Sequence, residues 1–452
     1  MEKKKGFFSG AELRTVAVMA WPAVVESFFV ALAGVIDTLM VSGIDAAAVA
    51  SVGLTTQPKF CGLALFIAAN VATSAIVARR KGEERREDAN RTLVAVTAFT
   101  ILASLLIGLL CVIFASPLMR LAGSNEQTHE GAVLYFQLIM GGMIFNTVSL
   151  VINAAQRGSG NTRISMKTNL VSSGINVVFN YLLIGGHLGF PALGIFGAAF
   201  ATVLGTVAAC MMSIASLMKK DGFLSIPYCL SNRLRFQMKS LTPVLKLGSS
   251  VFLEQILMRI GFTATAVMAA GLGTYAMAAH QVGMNMLSLS FSFGDGFQAA
   301  AVALIGQSLG RRDPKQASRY GTICQVMGMT IAVLFSILLL CTGRNIYGWF
   351  FREEEIIKIG LGICRILVVI VLAQIPQAII TGSLRGAGDV LYTTVSSTIS
   401  VTLIRTAISY TACFILGWGI NGIWMGILAD QACRFVFNFI RYRSGKWMKI
   451  VI

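Results

Sequence analysis

The chain of 452 residues is 56% hydrophobic and 13% charged, against roughly 25% charged residues in a soluble globular protein. That balance excludes a soluble enzyme or binding domain and puts most of the chain where charge is not tolerated. The net charge of +17 would suit a nucleic-acid partner if it gathered on one soluble face, but the basic residues are shared out among loops between apolar runs, so no nucleic acid is expected.

Lys3, Lys4, Lys5 and Arg14 precede the first apolar run. That run has full membrane-spanning length and no small-residue cleavage site, so it reads as a retained helix and not a signal peptide. Arg79, Arg80, Lys81, Arg85 and Arg86 follow the second run, and Arg157, Arg163 and Lys167 flank the link after the fourth. Lys219, Lys220, Arg233, Arg235 and Lys239 follow the sixth, Arg311, Arg312 and Lys315 the eighth, and Arg441, Arg443 and Lys446 the last. The intervening loops hold little beyond Arg120, Arg344 and Arg352. Runs such as 92–115 and 193–218 fit a count of about twelve helices of roughly 20 residues, the length that crosses ~30 Å of hydrocarbon. Basic residues on alternate loops put both termini in the cytoplasm of a multi-pass protein of the plasma (inner) membrane. The nine cysteines, among them Cys111, Cys210, Cys324 and Cys341, form no C-x-x-C pair and read as packing residues.

The chain repeats itself. Glu26 falls on Glu254, Gly43 on Gly271, Ala72 on Ala300 and Arg91 on Arg319, each 228 residues on. Arg157-Gly158-Ser159-Gly160-Asn161 falls on Arg385-Gly386-Ala387-Gly388-Asp389, and the register then slips by three near 185–191. The fold class is therefore all-α integral membrane, with two parallel six-helix repeats. Residues 1–221 are expected to form a first lobe, 222–243 a cytoplasmic linker, 244–440 a second lobe and 441–452 a basic cytoplasmic tail. A parallel repeat implies a substrate site between lobes near the midplane.

A charge at mid-bilayer costs roughly 2.5–3.5 kcal/mol, so each is a functional candidate by default. Asp37 has no cation within a helical turn and is the leading candidate for a proton or sodium carrier. Glu26 and Glu254 follow Pro22 and Gly248, where a helix can bend open, and either substrate contact or bonding to the irregular backbone suits them. Asp295 joins them as a candidate for substrate contact or a second-lobe site. Arg259 with Asp295, and Arg405 with Asp430, read as internal ion pairs. Lys59 is read as snorkelling to an interface and given no role; His280 reads as packing. Asn176 and Asn180 share a face of the fifth helix and offer oxygens of the kind a hard cation accepts. No phosphate-cradling G-x-x-x-x-G-K-[ST], H-E-x-x-H or serine elbow is present, so no cofactor, catalytic residue or metal is expected beyond a sodium ion at Asp37.

The sequence resembles the multidrug and toxic compound extrusion (MATE) family, bacterial type, over essentially its whole length. The resemblance is carried by Pro22 with Glu26, the Asp-Thr-Leu-Met-Val-Ser-Gly of 37–43 and the mirrored blocks at 158–162 and 386–390. The segment 193–202 and the Gly-Gln-Ser-Leu-Gly of 306–310 add to it. It implies two lobes arranged as an inverted V and antiport: organic cations or amphipathic drugs leave while protons or sodium enter. It implies a first-lobe cation site at Asp37, Asn176 and Thr202, with Asn180 where the family usually has Asp, so the site carries less negative charge. Glu254 matches the second-lobe acidic position, but 363–382 offers Arg365 and no acid to join it. The implied partners are a cationic or amphipathic small molecule and membrane lipid, and the design needs no second copy, so a monomer is expected. A flippase for lipid-linked saccharides is the alternative on the same fold. A major-facilitator porter, an ion channel and a membrane enzyme rank lower, for want of the first-half loop motif, a filter loop and a catalytic cluster.

Overall fold

The computed structural model describes residues 9–44 and 46–450, so Lys3, Lys4 and Lys5 lie outside it. The first half runs α1 (Gly10–Ser42), α2 (Ala46–Gly82), α3 (Arg86–Ile113), α4 (Ala115–Leu121), α5 (His129–Gly141), α6 (Met143–Gly158), α7 (Thr162–Ile184), α8 (Gly194–Ser216) and the short α9 (Ile226–Ser231). The second half runs α10 (Met238–Ala270), α11 (Thr274–Gly310), α12 (Pro314–Phe350), α13 (Glu354–Gly386), α14 (Val390–Thr398), α15 (Thr406–Tyr410) and α16 (Ile420–Arg443). A π-helical turn, Ile399–Arg405, joins α14 to α15, and a second, Thr411–Ile415, extends α15, so that Val390–Ile415 forms one segment.

Ten of these segments are long and apolar enough to cross a membrane, and α5 with α6, bent by 47° at Gly142, makes an eleventh. At 1.5 Å per residue the 23 residues of α7 cover ~34 Å. Its apolarity falls short because it carries Arg163, Lys167, Asn169, Asn176 and Asn180. With it, each half supplies six segments of spanning length, and the protein is an all-helical, multi-pass membrane protein.

The chain divides into two compact units, Phe28–Phe252 and Met1–Ser27 with Leu253–Ile452. Both divisions fall inside long helices, α1 and α10, shortly after Pro22 and Gly248. Proline removes an intrahelical hydrogen bond and bends the helix. In the unit of Phe28–Phe252, α7 packs on α8 and α2 on α6, and the buried apolar residues fall into four separate clusters. In the other unit α11, α12 and α16 pack around α13 over one continuous core that includes Tyr347, Ile363 and Trp424.

The repeated Arg-Gly-x-Gly block has a structural reason. Gly158 presses α6 onto the backbone of α2 at Ser74, and Gly386 presses α13 onto α11 at Val302. Gly160 and Gly388 end those helices at φ of 93° and 94°, a region open to glycine at little cost. The next residues close the same turn, Asn161 N–H to the Gln156 carbonyl at 2.8 Å and Asp389 N–H to that of Leu384 at 2.9 Å. A Cβ on Gly386 would sit 2.5 Å from the Val302 carbonyl oxygen. Gly386→Ala is therefore expected to destabilise the protein by about 1–3 kcal/mol, read as a lower midpoint of thermal unfolding in detergent.

The basic segment after α8 is docked in place. Arg86 donates to the carbonyls of Lys220 (3.0 Å), Gly222 (2.7 Å) and Phe223 (3.3 Å). Asn90 donates to Phe223 and accepts from the Ser225 N–H, so this loop's polar backbone is satisfied by the start of α3. Burial among these groups pushes the Cys229 thiol above its usual pKa.

Candidate functional site

Within the unit of Phe28–Phe252 the structure brings Asp37, Asn176, Asn180 and Thr202 together. Asp37 comes from α1, the two asparagines lie one turn apart on α7, and Thr202 is on α8. Close approach of α7 and α8 depends on small residues: a Cβ on Gly205 would meet the Ser172 carbonyl at 2.7 Å, and one on Gly197 that of Leu183 at 2.6 Å. Asn180 Nδ2 donates to Asp37 Oδ1 and, at 3.4 Å, to Asn176 Oδ1. Asn176 Nδ2 donates to Thr202 Oγ1 at 3.0 Å, and that hydroxyl donates to the Ala198 carbonyl.

The donors and acceptors do not balance. The Asn180 side chain is fully buried, its amide nitrogen is fixed towards Asp37, and its carbonyl oxygen accepts no hydrogen bond from the described residues. Turning the amide over would set oxygen against oxygen, so the hydrogen-bond pattern decides its orientation. An unmet buried acceptor costs about 1–3 kcal/mol. One carboxylate, two amide oxygens and a hydroxyl form a hard-oxygen set suited to a small cation, and a proton on Asp37 suits it equally.

Two residues of this neighbourhood were missed by sequence reasoning. Tyr135 of α5, 3% exposed, places its hydroxyl on Thr202 and lies in the field of Asp37. Lys59 of α2, assigned no role above, also lies in the field of Asp37. With Thr202 it lines a cavity of about 210 Å³. A signal for Lys59 was available: a lysine directly after a mid-helix proline, Pro58, far from either helix end. Tyr135 gave none, because its place follows from how α5 packs.

The unit containing Leu253–Ile452 is built differently. At 228 residues on, Asp37, Asn176 and Asn180 correspond to Thr265, Ile404 and Ile408, and Thr202, at the slipped register, to Ile427. The polar cluster therefore does not recur. Instead the acids meet arginines. Glu254, 2% exposed, receives two hydrogen bonds from Arg385 Nη2 (2.8 and 2.7 Å) and a third from Thr394. Asp430, fully buried, is held by Arg405 at 2.8 Å and Arg434 at 2.9 Å, and Asp389 by Arg441 at 2.6 Å. Arg405 ends a π-helical turn and stacks over Phe262. Glu26 is buried on α1, Asp295 half-buried on α11 and Arg365 exposed on α13. His280 meets Trp424 edge-on.

Eleven segments apolar enough to cross a membrane and α7, which has the length to do so, fall in two sequence repeats, with a buried polar cluster in one and ion-paired acids in the other, an arrangement that fits a membrane transporter. The family profile described as MatE matches residues 22–182 and 251–411, once in each repeat; the chain belongs to that family. The probable multidrug resistance protein NorM of Bacillus cereus is 27% identical over 436 residues, covering 95% of this chain and 94% of that protein. The NorM-named protein of Thermotoga maritima is 26% identical over 95% of this chain and 92% of its own. Among solved structures, an outward-facing multidrug resistance MATE transporter of the MOP superfamily matches at a TM-score of 0.85 and 22% identity, over 96% of this chain and 97% of that one. A MOP superfamily transporter from Pyrococcus furiosus, for which reverse polarity of the binding pocket suggests a different function, matches at 0.88 and 20% identity over 97% of each chain. At such identities the structures speak for the fold.

Proposed function

We propose that this protein exports amphipathic organic compounds by antiport, exchanging them for a proton or sodium ion taken up at Asp37. The observation that carries the reading is the Asp37 carboxylate bonded to Asn180, whose buried carbonyl oxygen has no donor among the described residues. An ion at Asp37 displaces the Asn180 amide hydrogen there, frees the amide to turn its oxygen, and so alters the bond joining α1 to α7. Coupling then requires that the ion's affinity differ between the inward- and outward-open states. The multidrug resistance names of the relatives support export of varied compounds. In this reading both termini lie in the cytoplasm, which the basic residues on alternate loops support, and the protein acts as a monomer.

The reading is tested in efflux-deficient bacteria expressing the protein and loaded with a fluorescent amphipathic dye. Dye accumulation is expected to fall below that of control cells and to recover when a protonophore, or replacement of external sodium, removes the driving ion. Equal accumulation with and without the protein contradicts it.

A further inference from the structure

The cavity beside the polar cluster carries the wrong charge for an organic cation. Among the residues lining it Lys59 is the one ionisable group; its polar partners are neutral, Asn146, Thr202 and Thr206, and apolar walls such as Phe60, Leu63 and Met140 complete it. Lys59 Nζ lies 5.8 Å from the centroid of the Phe60 ring, and among the described residues no hydrogen bond or ion pair holds it. Asp37, in whose field it lies, is committed to Asn180. An ammonium in the membrane interior is costly without an opposite charge, and here the space around it is an apolar cavity with hydroxyl and amide groups at hand.

We propose that this cavity binds the anionic head of an amphipathic ligand, a carboxylate, sulfonate or phosphate, with Lys59 as the residue that sets the accepted sign of charge. The proposal rests on the transport reading and names its substrate class. Apolar walls take the ligand's body, and Asn146, Thr202 and Thr206 supply the neutral hydrogen bonds that orient its head. An organic cation, the class implied by the family resemblance, meets like charge there.

The test is equilibrium titration of the protein in phosphatidylcholine nanodiscs with 2-naphthoate and with naphthylmethylammonium, equal in apolar bulk and opposite in charge. Wild type is expected to prefer naphthoate by about tenfold or more, a preference lost in Lys59→Gln and kept within about threefold in Lys59→Arg. Lys59→Gln is expected to bind naphthylmethylammonium at least as tightly as wild type does, an outcome that damage to the fold does not produce. Discs containing phosphatidylglycerol separate the sources: competition assigns a lipid head, and unchanged binding assigns a soluble anion, both within the proposed class. Equal or better binding of the cation by wild type, or naphthoate affinity unchanged in Lys59→Gln, overturns the proposal. No gradient enters this measurement, so a protein that moves dye in cells yet shows no anion preference removes this proposal alone, while one that moves no dye removes the transport reading.

Discussion

Asp37→Asn is expected still to bind an amphipathic probe and to lose every response to an ion gradient. The asparagine fills the same space and still accepts from Asn180, so the α1–α7 contact survives. It cannot take a proton at physiological pH or present a negative charge to sodium, so the two states no longer differ in ion affinity. Coupling free energies of this kind run to about 1–3 kcal/mol, a 5–150-fold change in affinity. Wild type is therefore expected to change its probe affinity within that range when the coupling ion is added, and the variant to show none. Titrating probe binding with and without the ion measures this, and an ion-dependent shift retained in the variant removes Asp37 from the mechanism.

The largest effect on stability is expected at Asp430. Its carboxylate is fully buried between Arg405 and Arg434. Asp430→Ala leaves two guanidiniums in a low-dielectric interior without an anion, and breaking a buried ion pair from one side costs about 3–5 kcal/mol. Replacing all three residues with apolar ones (Arg405→Met, Asp430→Leu, Arg434→Met) removes the charges together and is expected to restore most of the loss. Thermal unfolding in detergent decides the matter. A single variant that melts with wild type would show that water already reaches these arginines.

Much of the fold was legible because membrane spans and repeats are written in composition and spacing. The cluster of Asp37, Asn176, Asn180 and Thr202 was legible through the family resemblance, and the asparagine pair through its i, i+4 spacing alone. Other features depend on tertiary packing. The 47° bend at Gly142 occurs where α5 and α6 meet, while the corresponding α13 runs unbroken through 33 residues. The sequence showed the Arg-Gly-x-Gly block twice, but not that Arg385 would reach Glu254, 131 residues away. Lys59 could not be tied to Asp37 from the sequence for a similar reason: that it lies in the field of that carboxylate depends on how the helices pack. With an asparagine at 180 and Lys59 close by, the neighbourhood of this cluster holds one carboxylate and one ammonium.

The most direct test of the central claim uses purified protein in liposomes, with a fluorescent amphipathic dye and proton and sodium gradients imposed one at a time. Wild type is expected to drive the dye against its concentration under one gradient, and Asp37→Asn under neither. Dye movement of equal rate in wild type and variant, or none under either gradient with folded protein, contradicts an ion-coupled antiporter centred on Asp37.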